Sequence, residues 1–298
     1  MNLLFTVVDV FTNQPFAGNP LAIVYHEAEE SLTLATGQMQ ALAREMNLSE
    51  TVFVTDWDWR SRRFTLRIFT PSTELPFAGH PSIGAAAWLA GRDTMRESTS
   101  QSIDLVERAG LVRCAAQWTD DAGHATLVPP QLPEQSGTEA GGRVAAELGV
   151  PVSALVGDVE VWSAGMAVHC VELDQPGRLA ELQAPALGGP LGSWELCCFA
   201  YGPGEDEITA RVFPLAAGIQ EDPATGAAAV ALAGRIAPKM LRDRGQAHVA
   251  IHQGAAMGRA STLRLHLLGA AGRLEAVQLS GEVVAVSEGR WLRVPSGV

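Results

Sequence analysis

Two short stretches of this chain set an ionisable side chain directly before a proline and shortly ahead of a run of small residues. His80-Pro81-Ser82-Ile83-Gly84-Ala85-Ala86-Ala87 and Asp222-Pro223-Ala224-Thr225-Gly226-Ala227-Ala228-Ala229 share the pattern x-P-x-x-G-A-A-A. Proline is tolerated at the first helical position because its missing N–H would be unpaired there anyway, and the residue before it then occupies the N-cap. The spacing predicts that His80 and Asp222 cap two helices. Two helix N-termini aimed at one cleft would offer free N–H groups and positive dipole ends, which suits a carboxylate. Asp-Pro alone is an ordinary helix start, so on the residues alone Asp222 remains either a plain cap or a catalytic group. Histidine is not a preferred cap, and His80 lies between Gly79 and Pro81 in a tight turn, which favours a chemical role.

Other chemistries find little to work with. The four cysteines, Cys114, Cys170, Cys197 and Cys198, form no C-x-x-C pair and adjoin no histidine cluster, so the expectation is buried free thiols rather than a disulfide frame or a zinc site. Lys239 is the single lysine and lies in an amphipathic stretch, which argues against Schiff-base or pyridoxal chemistry. His248 and His252 sit in H-V-A-I-H, where a strand would separate them by about 13 Å, too far to share one ion. No G-x-S-x-G, G-x-x-x-x-G-K-[ST], G-x-G-x-x-G or H-E-x-x-H motif occurs. The expectation is an enzyme with no metal and no cofactor.

The elements that must position His80 and Asp222 are related to each other. Arg67-Ile-Phe-Thr-Pro precedes the first block and Arg211-Val-Phe-Pro the second, and the two Gly-Ala-Ala-Ala runs begin at 84 and 226, 142 residues apart in a chain of 298. That spacing implies two related halves. Residues 84–91 and 226–234 are apolar all round, as expected of buried helices. Most other segments alternate like strands, and 34–46, 141–148 and 238–243 read as peripheral helices. Without regular β-α alternation, the expectation is an α+β fold of two pseudo-symmetric domains, each a mostly antiparallel sheet or barrel wrapped around a central buried helix. The boundary is placed at 121/122, giving halves 1–121 and 122–287, with a last strand in 288–298 as a candidate to return to the first half.

Composition bounds the partners. The formal net charge is −12, with 47% apolar and 18% charged residues, and no arginine cluster suggests a phosphate-binding face. The expected partner is a small carboxylate-bearing substrate, not nucleic acid or a membrane. An N-terminus without a basic leader pattern leads to the expectation of a cytoplasmic protein.

Several stretches together carry a family resemblance. Val8-Asp9-Val10-Phe11 through Pro15-Phe16-Ala17-Gly18-Asn19-Pro20, Leu48-Ser49-Glu50-Thr51, Glu74-Leu-Pro-Phe-Ala-Gly-His-Pro81, Glu221-Asp-Pro-Ala-Thr-Gly226 and Gln253-Gly254 with Met257-Gly258-Arg259 resemble the signatures of the phenazine-biosynthesis PhzF family, over residues 6–260. The resemblance implies the diaminopimelate-epimerase fold, a homodimer, and isomerisation by proton transfer without a cofactor. It implies that Glu50 is the general acid and base, in a cleft between the halves, with His80 and Asp222 assisting. It also implies that Asn19, Ser49, Gly79, Pro81, Ser82, Thr225, Gly226 and Ala227 bind substrate. The family's best-understood reaction isomerises trans-2,3-dihydro-3-hydroxyanthranilate. Related epimerases and racemases use two facing cysteines at the central helix starts, and this chain has none there. Ala227 stands where many relatives carry serine, and Ala260 where proline is usual.

Overall fold

The computed structural model describes residues 2–92, 100–120 and 122–296. The chain divides into two compact units, one of Met1–Pro130 with Ser280–Val298 and the other of Gln131–Leu279. The expected boundary at 121/122 falls instead inside a hairpin, where Ala122 pairs with Thr119, so the division comes later.

Unit 1 contains β1 (Leu3–Val10), β2 (Asn19–His26), α1 (Thr36–Met46), β3 (Glu50–Asp58), β4 (Arg63–Phe69), β5 (Glu74–Leu75), α2 (Gly79–Arg92), β6 (Gln101–Glu107), β7 (Gly110–Thr119) and β8 (Ala122–Leu127). Its pairings are antiparallel for β1–β2, β3–β4, β6–β7 and β7–β8, and parallel for β2–β3 and β4–β6. A last long strand, numbered β16 (Arg273–Arg290) below, follows β8 in the hydrogen-bonded order and also pairs with β1, from Val10↔Val283 to Leu4↔Arg290. The path therefore closes on eight strands, which removes free edges.

The helix α2 packs against β1, β2, β3, β6, β7 and β8. Its alanines and glycines are what permit strands on so many sides. A Cβ at Gly84 would stand 2.6 Å from Leu21 and 2.8 Å from Val10, closer than side chains pack. Outside the barrel, α1 lays Met39 and Leu42 on a cluster with Leu3, Val24, Phe53 and Phe69.

Unit 2 contains β9 (Glu134–Glu139), α3 (Gly141–Leu148), β10 (Val159–Ser163), β11 (Ala167–Glu172), α4 (Gly177–Glu181), β12 (Glu195–Tyr201), β13 (Glu207–Pro214), α5 (Gly226–Met240), β14 (Gln246–Gln253), β15 (Ser261–Ala270) and the start of β16. The order runs β9-β10-β11-β12-β13-β14-β15-β16, with β11–β12 and β13–β14 parallel. The helix α5 packs against β9, β10, β11, β12, β14 and β15, and Gly234 leaves room for the Trp162 ring.

Two further expectations are corrected by these elements. The peripheral helix at 238–243 is the end of α5, which runs through Pro238 to Met240; a proline near the C-terminus forfeits only one backbone bond. The separate strand after residue 287 is the tail of β16, which ends at Arg290. Beyond it Trp291 N–H still donates to Leu3 C=O at 2.9 Å, and residues 297–298 lie outside the described residues.

Candidate active site

Local structure places His80 beside Glu50. Asp9, buried at the end of β1, accepts from Phe16 N–H at 2.6 Å, which pins the loop that delivers Asn19 to the head of β2, where it is fully buried. Leu21 of β2 lies in parallel register with Glu50, the first residue of β3, and Ser49 precedes it, half-buried. One strand further, Arg67 of β4 donates to both Glu74 oxygens at 2.8 Å and to Thr36 Oγ1 at 2.8 Å. A bidentate guanidinium–carboxylate pair fixes geometry as well as charge. The Arg67 hydrogen bond holds the Glu74 carboxyl below its ordinary value against the opposing effect of burial. The clamp anchors the segment that enters α2.

That helix begins at Gly79, so His80 lies inside its first turn instead of capping it. The reason is that Ser82 N–H reaches Ala78 C=O at 3.1 Å, so the first helical hydrogen bond starts two residues before the expected cap. The His80 Nδ1 stands 3.0 Å from Glu50 Oε2, with side chains 5% and 15% exposed. The other ring nitrogen, Nε2, is buried and has no hydrogen-bond partner among the described residues. Buried polar atoms are almost always paired, so this one is available to a ligand. Pro81 and Ser82 follow, both buried. The Ser82 hydroxyl lies 2.8 Å from Ala78 C=O and 2.7 Å from Glu107 Oε1.

In unit 2, Arg211 of β13 donates to both Glu221 oxygens at 2.8 and 2.7 Å, and to the carbonyls of Leu179 and Leu182 at 3.0 and 2.9 Å. Asp222 is not the cap of α5. Its N–H is taken by Val212 C=O at 3.1 Å, so the chain stays bridged to β13. The helix starts at Gly226, with Thr225 as extended N-cap. The Thr225 hydroxyl makes no cap bond because it donates to Asp222 Oδ2 at 2.6 Å. Asp222 is buried, and Ala227 is partly exposed in a run of buried residues.

Gln253, at the end of β14, holds this corner together. Its amide donates to Asp222 C=O at 2.8 Å, and its carbonyl accepts from Thr225 N–H at 3.3 Å. The next residue, Gly254, has φ +76° and passes so close to Pro223 that a Cβ would lie 2.6 Å from its carbonyl oxygen. Gln253 was visible in the sequence only as part of a motif, without a partner to give it a task.

The structure thus brings together Glu50 with His80 in unit 1, and Asp222 with Thr225 in unit 2. All four cysteines are buried and unpaired; burial pushes Cys170 up to about 12 and the other three thiols higher as well. None stands at a helix start. His248 stacks on His266 across β14–β15, with centroids 4.3 Å apart, instead of pairing with His252. Among the described residues no group of three or more His, Cys, Asp or Glu could hold a metal ion, and no helix is long and apolar enough to cross a membrane.

A mostly β fold with a shielded carboxylate–imidazole pair at the head of a buried helix suits an enzyme that moves protons, and the chain's relatives are isomerases. The chain belongs to the PhzC-PhzF family of phenazine biosynthesis-like proteins, whose model matches residues 8–289. It is 36% identical to an uncharacterised isomerase of Mesorhizobium japonicum, covering 96% of this chain and 97% of that one. It is 34% identical to the trans-2,3-dihydro-3-hydroxyanthranilate isomerase of Pseudomonas aeruginosa, covering 96% and 98%. The fold matches the crystal structure of a PhzF-family phenazine biosynthesis protein of Bacillus anthracis, with TM-score 0.84, 20% identity and coverage of 98% and 100%.

Proposed function

We infer that the chain is a cofactor-independent isomerase that moves a proton between two carbons of a small carboxylate-bearing substrate. The observation that carries this reading is the Glu50–His80 contact with its unpartnered Nε2. A carboxylate 3.0 Å from an imidazole and largely shielded from water can take a proton from an acidified C–H bond. The C–H electron pair then delocalises into the substrate, and the carboxyl returns its proton to a second carbon. His80 keeps the Glu50 carboxylate aimed and offers Nε2 to a substrate oxygen. Asp222, Asn19, Ser49 and the residues of the two helix starts are assigned to substrate holding on the family pattern, within a fold of two related halves. A homodimer belongs to the same reading, and light scattering that finds only monomer at micromolar concentration would remove it.

The first compound to test is trans-2,3-dihydro-3-hydroxyanthranilate, the substrate in the name of the Pseudomonas aeruginosa relative. Native protein should isomerise it, or a carboxylate that co-purifies and is identified by mass spectrometry, with turnover unaffected by EDTA. In deuterated water the receiving carbon should acquire deuterium at least in part. The reading fails if Glu50→Gln turns over at a near-native rate.

A further inference from the structure

The turn between β6 and β7 holds the entry to α2 at three points. Ala109 N–H donates to Pro76 C=O at 2.9 Å, Arg108 reaches Glu74 Oε2 at 3.4 Å, and Glu107 Oε1 lies 2.7 Å from the Ser82 hydroxyl. Pro76 and Ser82 bracket His80. The first two contacts are exposed or carried by backbone, but the third is deep in the protein. Ser82 is fully buried and Glu107 is 5% exposed.

Counting protons at that third point fixes the state of Glu107. The Ser82 hydroxyl has one proton and two short neighbours, Ala78 C=O at 2.8 Å and Glu107 Oε1 at 2.7 Å. A carbonyl can only accept, so both contacts are hydrogen bonds at once only with the hydroxyl proton directed to Ala78. The contact to Glu107 is then a hydrogen bond only if the carboxyl supplies the proton. The other oxygen, Oε2, is buried with no partner among the described residues, which would be very costly for an ionised carboxylate. The groups against it are neutral, the Cys114 thiol on β7 and the Ser82 hydroxyl on α2, while Asp104 on β6 falls on the alternate face of the strand and pairs with Arg63. Arg108, next in the chain, is turned to Glu74.

We propose that Glu107 is a neutral carboxylic acid that donates to Ser82 and so positions the first turn of α2, and with it the ring of His80. The proposal rests on the reading of His80 as a site residue but not on any substrate. It makes Ser82 a positioning residue, its hydroxyl committed within the protein. Burial pushes the Glu107 carboxyl up to about 8. The neutral form therefore persists through neutral pH and is lost as pH rises through that value. Loss of the proton would place charge against Ser82, break the bond and release the turn.

Two readouts test this without turnover. Infrared spectra at about pH 6, below the raised value, should contain a protonated-carboxyl band that Glu107→Gln removes. Histidine-labelled protein should give His80 ring resonances, assigned by their loss in His80→Gln, that shift in an alkaline transition near pH 8. Glu107→Gln keeps a donor for Ser82 and cannot ionise, so the resonances should stay at their native neutral-pH position and the transition should vanish. Absence of the band in native protein, or a transition that survives in Glu107→Gln, overturns the proposal. Should that variant not fold, Ser82→Ala decides. It removes the acceptor for Glu107 together with the hydroxyl's bond to Ala78, so His80 resonances that are displaced at neutral pH and lose the alkaline transition support the proposal, and native ones or a surviving transition overturn it. Failure of Glu50 as the base would change neither readout.

Discussion

The segments that enter α2 and α5 are built on one plan and finished differently. In each, an arginine on the preceding strand grips a glutamate through both oxygens, and that glutamate stands five residues before the helix, 74 to 79 and 221 to 226. In each, the guanidinium also lies over a phenylalanine two residues on, Phe69 at 5.2 Å and Phe213 at 5.1 Å. Beyond the clamp they diverge. His80 is already helical and reaches Glu50, whereas Asp222 stays bridged to Val212 and accepts from Thr225. One clamp thus serves two different outcomes, and the last few hydrogen bonds decide where the helix begins.

The largest expected effect separates the two segments by chemistry. Glu50→Gln preserves size but cannot accept the carbon-bound proton, so turnover should fall by about 10² to 10⁴ while substrate still binds. Asp222→Asn keeps an acceptor for Thr225, and in steady-state kinetics it should show the smaller loss in kcat. Equal losses would place proton transfer on both residues.

Next comes the pair of clamps. Arg211→Ala leaves Glu221, 13% exposed, and two carbonyls without their donor, so urea unfolding should show a loss of about 3 to 5 kcal/mol. Arg67→Ala removes a more exposed guanidinium, 25% against 12%, and leaves Glu74 with Arg108 at 3.4 Å, so it should cost less. A reversed order would mean that the carbonyl bonds of Arg211 carry little energy.

Acid should sharpen the same contrast. The Glu74 carboxyl is held low by Arg67. Its stabilising contribution is therefore complete above the ordinary carboxylate value and lost as pH falls through the depressed one. Native protein should lose stability over that acid range, and Arg67→Ala should lose less of it, as followed by thermal unfolding against pH.

Gly84→Ala is a smaller test of how closely the strands grip α2. Its added methyl group would meet Leu21 and Val10, so a cost of about 1 to 3 kcal/mol is expected in the same unfolding experiment. Lys239→Ala should move stability least. Its ammonium lies 3.1 Å from the Tyr201 ring centre, a contact worth about 0.5 to 1 kcal/mol when exposed.

Much of this site was legible in the residues. The repeated x-P-x-x-G-A-A-A block located both buried helices, because an all-apolar run of small residues has few other uses in a fold of strands. The order of short motifs pointed to the PhzC-PhzF family and to Glu50, His80 and Asp222, and the absence of cysteine at the helix starts separated the chain from two-thiol racemases. Local preference also named the wrong caps. Proline at the first helical turn is a statement about its own missing N–H, whereas the start of each helix follows the carbonyl that takes the first helical N–H, Ala78 from Ser82 in one case and Thr225 from Ala229 in the other. The pairings of Glu50 with His80, Gln253 with Asp222 and Glu107 with Ser82 join residues 30, 31 and 25 positions apart. No periodicity or capping rule reaches that far. The sequence by itself determined which groups are available and which elements carry them. Only the tertiary structure decided which of those groups share a proton, because that depends on strand register and burial, which bring distant segments to within a hydrogen bond and exclude the water that would otherwise satisfy them.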